Sequence, residues 1–228
     1  MVPANSYQNV LKYLDEGHRP GVWMCGLLFA PPKTAIGKAI MERLDDWHYR
    51  SGNNIDFFCV GYVDWDEFED DEPVGQLRDR YDSAKRQFYY SASGFHDVRD
   101  NVEQLSGWKY SGEADLILVN AVQDEPAASA PDEPRSRLML EEIIALDIDK
   151  IVSEGVFTTP ARLMERICQA ADDAAVSGEA INVTDFSDRE FSRTLLRRSL
   201  GAVIKKLSLD APLGARHFLV GGQLLERV

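Results

Sequence analysis

Residues 22–63 read VWMCGLLFA (22–30), PPKT (31–34), AIGKAIMERLDDWHYRSG (35–52) and, after Asn53, NIDFFCVGYV (54–63). The order is strand, loop, helix, strand. The first run is almost continuously apolar, which suits a strand buried on both faces at the centre of a parallel sheet. Two prolines stop it. Thr34 is placed to cap the next helix, where Ile36, Ile40, Met41, Leu44 and Trp47 share one side. Glu42, Arg43, Asp45 and Asp46 fall elsewhere, and Ser51-Gly52-Asn53-Asn54 ends the helix. Ile55 to Val63 returns as a second buried strand. A βαβ unit implies a parallel pair, and ligands tend to bind where such strands end. That edge carries Pro31, Pro32, Lys33 and Thr34 after one strand, and Asp64, Asp66 and Glu67 after the other.

Upstream, Ser6 caps a short helix, Tyr7 to Glu16, with Val10, Leu11 and Leu14 on one face and Gly17 closing it. Downstream, residues 64–80 read as an acidic loop, since seven of the nine residues from Asp64 to Glu72 are carboxylates. Residues 86–91 read either as a strand or as the continuation of a helix begun near Leu77; two tyrosines and a phenylalanine favour the strand. Ser93 and Gly94 open a helix to about Leu105, and ADLILVNAV (114–122) is a third buried strand. Residues 123–136 hold three prolines and little to bury, so they read as a linker or long exposed loop. The domain reading is therefore an α/β part at 1–122, this linker, and a mostly helical part at 137–228, either separate or packed onto the same sheet. Its helices are expected at about 137–147, at 160–175 behind Thr159 and Pro160, and from Ser187 to about Leu207. The last of these opens on the capping box Ser187 to Glu190. A final short strand is expected at Arg216 to Val220. The core should include Leu27, Phe29, Phe57, Val60, Leu116, Leu118 and Val119.

The chain has 228 residues, enough for one large domain or two small ones and for a core without disulfide staples. Its three cysteines, Cys25, Cys59 and Cys168, are odd in number and scattered, which points to a reducing cytoplasm. The first residues are polar, against a secretory signal, and no run approaches the roughly 20 apolar residues of a membrane span. The net charge of −13 opposes binding to nucleic-acid phosphates except through a local basic face.

Motif tests narrow the chemistry. A phosphate-binding P-loop wants Gly, four residues, Gly-Lys and Ser or Thr. Here Pro32 replaces the first glycine and Ala39 the hydroxyl, leaving Gly37-Lys38. A plain helix N-terminus with Lys33, Thr34 and Lys38 can still attract an anion. The βαβ unit resembles the opening of a thioredoxin-like fold, over about a third of the chain. The redox chemistry of that fold needs Cys-x-x-Cys where this chain has Pro31-Pro32-Lys33-Thr34, and Cys25 lies inside the strand, in an apolar setting that raises its pKa. Cys25, Cys59 and His48 lack the short paired motifs of a zinc site, so core packing explains the cysteines. Asp64, Asp66 and Glu67 can hold magnesium, but a solvated acidic loop is the simpler reading, and a functional loop would sooner dock a basic protein than a metal. Glu113 and Asp115 lack the lysine two positions on that a restriction-type nuclease needs, and read as the exposed start of a strand. The four histidines are isolated, and no serine or cysteine stands in a catalytic pattern.

The helix expected from Ser187 to Leu207 combines an apolar stripe (Phe191, Leu195, Leu196, Val203, Ile204, Leu207) with Arg189, Arg193, Arg197, Arg198, Lys205 and Lys206. In so acidic a chain this is a reversal of sign, fit to meet acids of the same protein, an acidic partner, a second copy or nucleic acid. The fold expected is α/β, a mixed and partly parallel sheet with a βαβ opening. The function expected is a non-catalytic, acidic protein-interaction module: an adaptor, an immunity or inhibitor protein, or a subunit of a bacterial complex. The alternative is a small enzyme or ligand sensor with an anion or metal site near Lys33, Thr34 and Asp64. No cofactor motif and no membrane partner are expected. The partner-binding candidates are Arg193, Arg197, Arg198, Asp64, Asp66 and Glu67.

Overall fold

The structure, a computed structural model, describes residues 1–17, 21–44, 54–64, 75–78, 85–123, 134–176, 178, 180–188, 202–206, 216–220 and 223–227. Strand β1 (Val2–Ala4) leads into helix α1 (Tyr7–Glu16), whose Ser6 cap accepts from Asn9 N–H. Strand β2 (Val22–Phe29), helix α2 (Ala35–Met41) and strand β3 (Asp56–Val60) form the expected βαβ unit, and β2 and β3 pair in parallel. β1 pairs in parallel with the other side of β3.

The strand read as continuous over 55–63 breaks at Gly61. There φ is +83°, a conformation that glycine alone adopts freely. Gly61 N–H donates to Ala4 O, and Gly61 O accepts from Ser91 N–H. Beyond the break, β4 (Tyr62–Asp64), β5 (Gly75–Arg78) and β6 (Lys85–Tyr90) make a separate antiparallel sheet of order β4-β6-β5. The acidic segment is thus shorter than expected, because 75–78 is strand; Asp66 and Glu67 lie outside the described residues. Helix α3 (Ala92–Ser106) follows, capped by Ser91, whose hydroxyl accepts from Gly94 N–H.

Strand β7 (Asp115–Gln123) runs antiparallel to β2 over its whole length, so the centre of the sheet is mixed. Residues 137–147, expected as helix, lie in strand β8 (Ser136–Asp147), paired antiparallel with β7. Leu, Met and Glu in RLMLEE favour helix locally. Tertiary pairing overrides that preference, with a bulge where Val119 opposes Ile143 and Asn120 opposes Met139. Past the bulge the side chains alternate: Ile143 and Ala145 face one core, Ile144 and Leu146 the other. Gln123 pairs with Ser136, so the segment between them joins two neighbouring strands. Helices α4 (Ile148–Ser153), α5 (Pro160–Val176) and α6 (Val183–Asp188) come next. The helix expected from Ser187 to Leu207 is not continuous: α6 ends at Asp188 and β9 (Ala202–Lys206) occupies part of its span. Strands β10 (Arg216–Val220) and β11 (Gln223–Arg227) complete a sheet of order β1-β3-β2-β7-β8-β9-β10-β11, so the strand at 216–220 is followed by another.

Through β1-β3-β2-β7-β8 the sheet is mixed: β1, β3 and β2 are parallel, β7 runs antiparallel to β2, and β8 antiparallel to β7. Strands β2, β3 and β7 are buried on both faces. Met24, Leu28, Phe57, Cys59, Leu116 and Leu118 pack with α2, α4, α5 and Ile181 to Phe186. Leu27, Phe29, Phe58, Val60, Ile117 and Val119 pack with Val10 and Leu14 of α1 and Phe95, Val98 and Val102 of α3. All seven core residues expected from the sequence are buried.

Candidate functional site

The place to look is where β2 and β3 end. Phe29 closes β2, and its ring lies 4.8 Å from that of Trp108 and 5.8 Å from that of Phe95. Phe95 in turn meets Tyr110 at 5.3 Å and Tyr90 at 6.0 Å, and Tyr90 meets Tyr62 at 5.5 Å. Aromatic rings at these spacings form one packed wall. Tyr62, 1% exposed, donates its phenol to Ala30 O at 2.8 Å, so the turn after β2 is tied to β4. Burial pushes the Tyr62 and Tyr110 phenols far up and the Tyr90 phenol to about 12.

Thr34 caps α2 as the sequence predicts, and its hydroxyl is used at both ends. It donates to Pro31 O at 2.9 Å and accepts from Gly37 N–H at 3.0 Å. Pro31 O also accepts from Thr34 N–H. A Cβ added to Gly37 would clash with that carbonyl, so the start of the helix is covered by its own chain. Lys33 and Lys38 are exposed, and Asp64 is half-buried in β4 opposite Phe88. Arg193, Arg197 and Arg198 lie outside the described residues.

The group with altered chemistry at this edge is Asp115, which pairs with Phe29 on one side and Asp147 on the other. Glu113 is exposed, as expected, but Asp115 is not: it is 2% exposed. It opens a strand that is flanked by β2 and β8, and it lies on the face of Phe29 with Ser111 N–H bonded to it, so the strand start is interior. Burial raises its carboxyl to about 7; Asp147 and Asp149 add to the rise, against a hydrogen bond from Ser111 N–H at 2.8 Å. Asp149 is raised too, first by desolvation, and its Oδ2 is buried with no hydrogen-bond partner among the described residues. Sequence reading took Asp115 as exposed and did not single out Asp147, Asp149 or the three tyrosines. The signal available was an acid abutting an apolar run at 115, matched by another at 147.

Among the described residues no three His, Cys, Asp or Glu side chains group to hold a metal ion. Cys25 and Cys59 face opposite cores, so they cannot share a ligand. A cavity of about 90 Å³ at the other edge, lined by Tyr13, Leu14, Gly17, Trp23 and Asp56, is far below the several hundred Å³ of a usual ligand pocket. Among the described residues no helix is long and apolar enough to cross a membrane.

Fold and edge together define an α/β protein with a mixed sheet whose strand-end edge is occupied by its own aromatic and acidic side chains. The chain matches no family model, no curated protein and no solved structure.

Proposed function

We propose that the protein is a non-catalytic, acidic interaction module, an adaptor, an inhibitor or immunity protein, or a subunit of a larger complex. The observation that carries this is the occupied edge. Where an open α/β sheet offers its ligand site, Tyr62 is bonded to Ala30 O and the Thr34 hydroxyl is bonded at both ends. Binding then falls to the charged surface. A net charge of −13 steers a basic protein, and Asp64, Asp66 and Glu67 are the acids nominated for it. Arg193, Arg197 and Arg198 are nominated for an acidic partner or a second copy. Three buried free thiols support a reducing compartment, the cytoplasm.

The test is affinity capture from the source cell, wild type against Asp64→Asn/Asp66→Asn/Glu67→Gln and against Arg193→Gln/Arg197→Gln/Arg198→Gln. A near-equimolar protein partner, retained by wild type and lost from one of the two triple variants, is expected. Equal retention by all three chains overturns the assignment of these residues.

One observation favours the ligand-sensor reading as second choice. A carboxyl pushed to about 7 at the strand-end edge is the kind of perturbed group that functional sites collect.

A further inference from the structure

We propose that residues 107–114 form a strap that closes the strand-end edge and opens as one unit while the sheet beneath it stays paired. The proposal rests on the closed edge described above and not on the identity of a partner.

The strap joins α3 to β7. Gly107 closes α3 with its N–H on Glu103 O, and Gly112, at φ +100°, turns the chain toward β7. Between them the side chains sort by position. Trp108 is buried and Tyr110 half-buried, while Lys109, Ser111 and Glu113 are exposed. The two rings plug the edge. Trp108 lies 4.8 Å from Phe29, Tyr110 lies 5.3 Å from Phe95, and the two stand 6.2 Å apart.

Two carboxylates on the flanking elements fasten this plug. Glu103, near the end of α3, accepts Tyr110 N–H on Oε1 at 2.9 Å and the Lys109 ammonium on Oε2 at 2.8 Å. Asp115, the first residue of β7 and 2% exposed, accepts Ser111 N–H at 2.8 Å. Tyr110 and Ser111 are consecutive, so the two fasteners grip neighbouring peptide groups from opposite ends of the strap, and loss of one loosens the other. Trp108 N–H is held by Ser106 Oγ at 3.1 Å, beside the Gly107 end. Two further bonds run within the strap and travel with it: the Tyr110 phenol donates to Glu113 O, and Glu113 N–H donates to Ser111 Oγ at 3.3 Å. A segment held by two rings and by bonds to side chains opens at lower free energy than a strand paired on both sides. Its opening uncovers Phe29 and Asp115, an apolar and an acidic group at the position where open α/β sheets meet their ligands. The strap therefore sets whether this edge is closed.

The test is amide hydrogen exchange by NMR on the full chain, expressed as opening constants, in wild type and in Glu103→Ala. Ser111 is the reporter, because its own acceptor, Asp115, is intact in the variant. In wild type the constants of Tyr110 and Ser111 are expected to agree within about threefold and to exceed those of Ile117 and Leu118 in β7 by at least about a hundredfold. In Glu103→Ala, which removes charge-assisted bonds, the Ser111 constant is expected to rise by at least about tenfold, with Ile117 and Leu118 unchanged. A rise confined to Tyr110 shows two independent bonds and overturns the strap. Equal wild-type constants at Ser111 and Leu118 show that the segment opens only with the sheet, and overturn it without any variant. An equal rise at Ser111 and Leu118 in Glu103→Ala does the same.

Discussion

Asp115 holds a proton that the unfolded chain gives up. Its carboxyl stands near 7 in the folded protein against an ordinary 3.8. The stability of the folded state is therefore undiminished by this group in acid, falls as pH rises through that window, and stays lowered above it. The span is roughly three pH units at about 1.4 kcal/mol each, so the cost at pH 8 is on the order of 4 kcal/mol at most. Asp115→Asn keeps the acceptor for Ser111 N–H and removes the charge. It is expected to raise Tm at pH 8 and to change it little at pH 4, as thermal melts at the two pH values will show. An equal effect at both would mean that charge burial is not the cause. This residue was poorly legible in the sequence. An acid at the start of a strand is ordinarily solvated, and it is the flanking by β2 and β8, both distant in sequence, that makes this one interior. Thr34 was legible because capping is local: the side chain and its acceptor amide are three residues apart.

Elements were legible where local pattern and tertiary demand agree. The βαβ unit, α1, α3, α5 and β7 follow their apolar periodicity. Residues 137–147 do not: helix-favouring Leu, Met and Glu sit between β7 and β9, and eight residue pairings with β7 decide the conformation. Gly61 escaped notice because a lone glycine in an apolar run signals a break only once a second sheet is known to begin there. Gly61→Ala adds a left-handed strain at φ +83° and a Cβ 2.7 Å from Phe95 Cβ. It is expected to cost at least about 2 kcal/mol. The check is a urea transition with a lowered midpoint and an unchanged slope. Asn120, 5% exposed at the β7 bulge, accepts Val183 N–H at 2.7 Å, and Ile181 O nearby accepts Met24 N–H. These bonds bind the 181–188 segment to the sheet. Asn120→Ala leaves a buried N–H unpaired, at about 2 kcal/mol. It is also expected to make 180–188 the first point of proteolytic cleavage; unchanged cleavage sites would show that the segment is held by its apolar contacts instead.

At the scale of the whole molecule, composition stated the class and the sheet supplied the reason. A chain with net charge −13 and an ordinary apolar fraction of 44% folds with both faces of its central strands β2, β3 and β7 covered. The strand order was not legible beyond β2 and β3, because pairing between β2 and β7 joins residues about ninety positions apart and no local signal encodes it. The candidate site was half legible: the sequence located the edge, and the packed rings and buried acids that fill it came from contacts among β2, β4, β6, α3 and the 107–114 loop. If the edge is closed and the charged surface does the work, capture of a protein partner should weaken steeply with salt, by tenfold or more between low and physiological ionic strength. The most direct measurement is native mass spectrometry of the protein purified gently from its source cell at low salt. The expected spectrum shows the chain bound to another protein in simple stoichiometry, with no small-molecule adduct. The chain alone, carrying a stoichiometric small molecule, would contradict the interaction-module reading and put a ligand at the strand-end edge.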